Sequence, residues 1–309
     1  MDAATLLARL RVPVVAAPMF LVSGPGLVSA CCRAGVLGTF PALNQRTTTA
    51  FESWLDALEA DLEPGDAPFG VNLIVHSSNP RLRADLEVVV AHEVPVVITS
   101  LGAAREVVDA VHSYGGLVLH DVTTPRHARK AAEAGVDGLI LVAAGAGGHA
   151  GTVNPFALVA SVRPWFDGLL LLAGGLSTGS DVLAAQAMGV DLAYLGTRFL
   201  ATAEADAASG YREMLVAADA TDIVYTPAVS SVPASFLRAS LEAAGIEPDA
   251  DPGGVDLTHL THPGEGGAKA WRDVWSAGQG VAAIADVPTV ATLVDRLAAE
   301  YAAARSRLA

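Results

Sequence analysis

The chain has 309 residues, 52% of them hydrophobic and 17% charged, which argues against a disordered chain and allows a large buried core. A formal net charge of -14 repels phosphate backbones and anionic lipid, so nucleic acid and membrane are poor partners. The two cysteines, Cys31 and Cys32, are neighbours and build neither a disulfide framework nor a cysteine metal cluster.

Eight short runs rich in Val, Ile and Leu recur, at 12–17, 36–40, 70–75, 94–99, 116–120, 137–143, 168–173 and 191–195. They are continuous rather than alternating, as parallel strands buried on both faces are. Between them, 49–61, 81–92, 103–113, 126–134, 156–162 and 179–188 carry helical spacing; in the first, Phe51, Leu55, Leu58 and Leu62 share a face. Gly35, Gly135 and Gly189 stand just past helix ends, where a left-handed cap is needed. Strict alternation through eight units predicts an α/β fold with a parallel sheet, read as a (β/α)8 TIM barrel.

After Leu195 the rhythm stops. Residues 206–285 contain Pro248, Pro252, Gly253, Gly254, Gly264, Gly266, Gly267, Trp271 and Trp275 and no strand-and-helix period. Residues 287–305 then read as an amphipathic helix with Val290, Leu293, Val294 and Leu297 on one face. The reading is a barrel at 1–205, an inserted lid or substrate subdomain at 206–285 between strand 8 and helix 8, and the closing barrel helix at 286–309. An insertion there lies on the active-site face and serves either as a lid or as a decorated loop. The start Met1-Asp2-Ala3-Ala4 lacks a basic region followed by an apolar run, and no stretch nears the roughly 20 apolar residues of a membrane span. A cytoplasmic setting is expected.

Barrel chemistry sits at the carboxyl ends of the strands. The first run ends in Ala17-Pro18-Met19, which can lie against a flat ring or be a turn with a core methionine. Asn72, inside the third run, needs polar partners; it serves a ligand edge or caps backbone. The fifth ends in His120-Asp121-Val122-Thr123-Thr124, two titratable groups followed by helix-capping threonines. After the sixth comes Gly145-Ala146-Gly147-Gly148-His149-Ala150-Gly151, where glycines let the backbone approach a ligand and one imidazole offers acid–base capacity. Gly174-Gly175-Leu176-Ser177-Thr178-Gly179 ends the seventh and Gly196-Thr197-Arg198-Phe199 the eighth. These loops and the helix N-terminus at Gly179 together suit a phosphate group. Arg198 either neutralises that phosphate or pairs with an acidic neighbour.

These pieces, with 270–280 as a returning loop, resemble the nitronate monooxygenases, FMN barrels once called 2-nitropropane dioxygenases. Their superfamily includes an NADH:quinone reductase and flavin enoyl-acyl-carrier-protein reductases. The resemblance implies FMN held by Pro18, Met19, Asn72, Asp121, Gly147, Gly148, Gly174, Gly175, Gly196 and Thr197, with Gly278 and Gln279 reaching in from the lid. It implies His149 as the catalytic residue near the ring, contacting a nitronate or deprotonating a nitroalkane. Two positions depart from the pattern: Gly145 stands where many relatives have a glutamate, and Asp121 where some have a lysine. The readings that follow are a monooxygenase acting on a propionate 3-nitronate-like or alkyl nitronate substrate with O2, or an NAD(P)H-dependent reductase of a quinone or of an enoyl or ketone thioester. A phosphate-binding non-redox barrel and a non-catalytic flavin protein are weaker. The expected partner is a small-molecule substrate, with a homodimer as the default assembly.

Overall fold

The computed structural model describes residues 1–102, 105–229, 232–248 and 272–308. Eight parallel strands follow in chain order: β1 (Val14–Ala16), β2 (Leu37–Pro41), β3 (Phe69–Ile74), β4 (Val96–Ser100), β5 (Leu117–Val122), β6 (Gly138–Val142), β7 (Leu169–Ala173) and β8 (Leu192–Leu195). The barrel closes where Val14, Val15 and Ala16 pair with Ala193, Tyr194 and Leu195, so no strand is left with a free edge. This is the (β/α)8 barrel expected from the alternating runs. Val96, Ile98, Leu117, Leu119 and Ile140 fill its interior, while Val97, Val118, Leu139 and Leu141 pack outward on the helices. That two-sided burial is why the strands read as unbroken apolar runs.

The strand limits differ from those expected by a residue or two, and β5 runs two residues further than its apolar run. There His120 and Asp121 pair with Leu139 and Ile140 of β6, so both titratable groups belong to the strand itself. Before β2 stand one helix that the sequence did not suggest and one whose end alone it marked, at Gly35. Ala3–Ala8 seats Leu6 among the barrel's interior residues, and Pro25–Ala34 joins β1 to β2 with Pro25 in its first turn. The latter buries both cysteines, and burial raises the Cys31 thiol well above its ordinary range and Cys32 to about 12. Neither is a ready nucleophile.

The segment after β8 is more regular than its sequence suggests. It holds a helix at Ser209–Ala217, an antiparallel hairpin of β9 (Ile223–Thr226) and β10 (Ala234–Leu237), and a helix at Arg238–Ala243. Each strand has four residues and β10 is wholly buried, so no alternation marked it. Phe236 packs there with Ala234, Leu241 and Val274. Pro252, Gly253, Gly254, Gly264, Gly266, Gly267, Ala270 and Trp271 lie outside the described residues. The helix Val290–Leu308 packs on Gly179–Ala187 and on Pro25–Ala34, the position of an eighth barrel helix. Its fit is close: a Cβ on Gly179 would lie 2.2 Å from the Leu297 carbonyl oxygen. No helix among the described residues is long and apolar enough to cross a membrane.

Candidate active site

A cavity of about 680 Å³ opens at the carboxyl ends of the strands, within the roughly 300–1,000 Å³ of ligand pockets. Pro18 and Met19 line it after β1, Asn72 on β3, Asp121 on β5, and Gly147, Gly148 and His149 after β6. Gly174 and Gly175 after β7 and Gly196 and Thr197 after β8 complete the set. Gln279, expected to reach in from the lid, is not in the wall; it is exposed, while Gly278 and Gly280 on either side do line the cavity.

The histidine loop is held by the insertion. Gly148 N–H donates to Ser276 Oγ at 2.7 Å, and its carbonyl accepts from Ser235 N at 2.9 Å. Ser276 Oγ donates onward to the Ser235 carbonyl at 2.7 Å, and Tyr225 OH donates to the Ala150 carbonyl at 2.9 Å. Tyr211 OH donates to the Ser276 carbonyl and its ring stacks on Trp275, 5.0 Å between centroids. The returning loop lies against the same glycines: Gln279 N donates to the Gly145 carbonyl at 2.8 Å and Gly278 N to Thr197 Oγ1 at 2.9 Å. A Cβ on Gly278 would lie 2.6 Å from the Gly145 carbonyl oxygen, so only glycine permits this approach.

The cavity floor carries a directed chain of hydrogen bonds. Asn72 Nδ2 donates to Ser100 Oγ at 2.7 Å, and Ser100 Oγ donates to Asp121 Oδ2 at 2.5 Å. Asp121 Oδ1 is buried without a partner among the described residues, an open position for a ligand. Burial pushes the Asp121 carboxyl up to about 6, against the lowering effect of Ser100. Its neutral form is thus favoured by folding, and the stability this confers is full below 3.8 and lost as pH rises through about 6. Flavin-free Asp121→Asn protein should therefore outlast the parent at pH 7.5 by on the order of 2 kcal/mol, a gap of a few degrees in melting temperature. The gap should close by pH 4. Equal melting at both pH values would mean that the ionised carboxylate costs the fold nothing.

His120, beside it on β5, is buried with Nδ1 2.7 Å from Thr99 Oγ1. Burial, then the nearby charges of His127 and Lys130, push it down to about 4, so it is neutral near pH 7.

The phosphate cradle is smaller than the sequence suggested. The helix N-terminus at Gly179 is already capped: Ser177 N and Thr178 N donate to Asp181, Asp181 N to Thr178 Oγ1, and Gly179 N to Glu300 Oε2 at 2.8 Å. The candidate cradle is therefore Gly174, Gly175, Gly196 and Thr197, where the glycine at 174 has φ 128° and that at 175 φ 73°. The backbone N–H groups of Gly174, Gly175 and Thr197 find no acceptor among the described residues. Arg198 takes the structural alternative. Its side chain is buried, donates to the carbonyls of Ala201 and Asp286 at 3.0 Å each, and lies 3.6 Å from the Asp286 carboxylate; it does not line the cavity.

Comparison with known proteins gives this arrangement a relationship. The sequence profile of nitronate monooxygenases matches residues 79–300. The chain belongs to the nitronate monooxygenase family. A curated nitronate monooxygenase of Pseudomonas aeruginosa is 28% identical, with 96% of this chain and 99% of that protein covered. A hydroxy-methyl-oxo-octahydro-indene-carboxyl-CoA dehydrogenase of Rhodococcus jostii is 31% identical over 77% of this chain, which spans 66% of that relative's length. Among solved structures, a nitroalkane oxidase from Streptomyces ansochromogenes superposes with a TM-score of 0.82 at 30% identity, covering 98% of this chain and 99% of that one.

Several wall residues of this family member gave little warning in the sequence. Ser100 ends β4 behind an apolar run, and only its spacing from Asn72 across adjacent strands marks it. Tyr211, Tyr225 and Ser276 come from the insertion, whose irregular sequence hid them. His127 and Lys130 line the cavity from the helix Pro125–Glu133; their i, i+3 spacing behind the Thr124 cap is a signal that could have been read.

Proposed function

We propose that the chain is an FMN-dependent oxidoreductase that oxidises alkyl nitronates with O2 in the cytoplasm. The observation that carries this reading is the convergence of glycine turns after β7 and β8 and the glycine-framed His149 on one cavity. The residues suit the cofactor in three respects. Gly175 faces open space, with nothing within 4 Å of a Cβ built there, and unpaired N–H groups beside it suit a phosphate. Pro18 and Met19 offer an apolar face to a ring. Asp121 Oδ1 and the Asn72–Ser100 pair offer polar groups to a ring edge.

Bound FMN would supply the electron transfer between the substrate and O2. The chain's own tasks are positional. His149 would accept the proton from the carbon beside a nitro group, or hold the nitronate oxygens once that proton is gone. Gly174, Gly175, Gly196 and Thr197 would fix the phosphate, and Gly147 and Gly148 would let backbone approach the ring. The returning loop at 276–280, pinned to Gly145 and Thr197, would exclude water as a lid. A second reading, an NAD(P)H-dependent reductase of a quinone or acyl thioester, draws support from the Rhodococcus relative, whose name specifies a carboxyl-CoA substrate.

Anaerobic mixing separates the two. The flavin-loaded protein should bleach rapidly with an alkyl nitronate and slowly or not at all with NADH or NADPH, and admitting air should restore the colour. Rapid bleaching by a nicotinamide alone would transfer the assignment to the reductase, and a colourless protein that refuses FMN would reject both.

A further inference from the structure

We propose that Asp121 is the proton acceptor that balances the charge a bound flavin gains on reduction. The electron pair comes from the substrate; one proton stays on the ring and a second passes from solvent to Asp121 Oδ1, to leave again when O2 removes the pair. The cavity then carries the same net charge before and after. The inference rests on the reading that this cavity holds a flavin, and it deepens that reading by giving the floor carboxyl a task.

The geometry leaves one place for that proton. Asn72 Nδ2 already donates to Ser100 Oγ, so the serine's own hydrogen points to Asp121 Oδ2. Oδ2 is therefore an acceptor whether the carboxyl is charged or neutral. Oδ1 is the open atom: it is buried and has no partner among the described residues. Asp121 is also the one acidic side chain among the described residues that line the cavity. Adding a proton at Oδ1 breaks no hydrogen bond, so the group can change charge without rearranging its surroundings.

The surroundings poise the carboxyl between its two charge states. Burial raises it to about 6, and the opposing influence is the Ser100 hydrogen bond rather than a cation. Ile140, its partner on β6, is apolar. Tyr194 on β8 is neutral, its phenol pushed well above the usual range by burial and then by Asp121. His120 on the same strand is turned to Thr99 on β4 and is neutral near pH 7. Tyr211 and Tyr225 are engaged with the carbonyls of Ser276 and Ala150. His149 after β6, with His127 and Lys130 on the helix Pro125–Glu133, completes the titratable groups of the wall. At pH 8 the resting carboxyl is therefore ionised. A second negative charge in the same water-poor cavity raises its proton affinity, so electrons entering the ring draw a proton onto Oδ1. A carboxylate that stayed bare would oppose those electrons.

The test is an anaerobic redox titration of the flavin-loaded parent, Asp121→Asn and Ser100→Ala proteins between pH 7 and 8.5, with redox-difference infrared spectra at pH 8. Each proton taken up with an electron pair moves the potential by about 30 mV per pH unit. The parent potential should fall by about 60 mV per unit, and that of Asp121→Asn, which has no carboxylate to protonate, by about 30 mV. Ser100→Ala removes the bond that favours the carboxylate, so its steep region should begin at higher pH. In the infrared, reduction of the parent should bring in the carbonyl stretch of a neutral carboxyl, sensitive to D2O and missing from Asp121→Asn. Equal slopes in parent and Asp121→Asn overturn the proposal. So does a carboxyl band of equal strength before and after reduction, or a steep slope with no such band, which assigns the second proton to the ring. Coupling in a protein that oxidises no nitronate upholds the role of Asp121 and rejects the proposed activity. Nitronate oxidation without coupling does the reverse.

Discussion

His149→Asn should retain its flavin through gel filtration and lose about 10²- to 10⁴-fold in turnover of a nitroalkane, the range of a general base. The loss should be smaller with the preformed nitronate, because its proton has already left. The loop should survive the substitution, since the bonds from Gly148 to Ser276 and Ser235 and from Tyr225 to Ala150 are made by its neighbours. Steady-state rates with nitroethane and with ethyl nitronate, each normalised to flavin content, make the comparison. Equal losses on both substrates would assign the imidazole to holding the nitronate rather than taking the proton. Unchanged rates would remove it from the chemistry.

Gly174→Val should strip the cofactor. A Cβ there meets the Ala144 carbonyl oxygen at 2.7 Å, and φ is 128°, a conformation that a β-branched residue resists. Strain of about 1–3 kcal/mol at the cradle corresponds to roughly tenfold to a hundredfold weaker retention. Flavin content after exhaustive dialysis is the measurement. Because valine can also disturb the β6–β7 loops, Gly175→Ala is the companion. Its Cβ has no protein neighbour within 4 Å, and the left-handed φ of 73° costs an alanine only about 1–2 kcal/mol, so the fold should hold, by circular dichroism, while FMN affinity falls. Full flavin retention in both variants would move the phosphate elsewhere.

The barrel was legible because each strand is buried on both faces, which leaves unbroken runs such as 168–173 and 137–143. Glycine spacing marked the turns that line the cavity. What stayed hidden has identifiable physical causes. The hairpin of β9 and β10 is too short, and on one side too buried, to show a period of two. Thr178 and Asp181 cap the helix locally, but the Gly179 N–H goes to Glu300, 121 residues away, and no local pattern reports a partner at that range. Arg198 beside a glycine turn looked like a phosphate ligand, yet the carbonyls it satisfies belong to Ala201 and to the distant Asp286. The pair at His127 and Lys130 sits one turn beyond the strand end, outside the loop where barrel chemistry is usually sought.

The ties from Ser235, Tyr225 and Ser276 to the backbone at 148 and 150 make the hairpin a splint for the imidazole. Damage to that splint, even many residues distant in the chain, would surface as a misaimed side chain: slower proton removal at undiminished cofactor content. A survey of variants scored only by colour would pass them as sound.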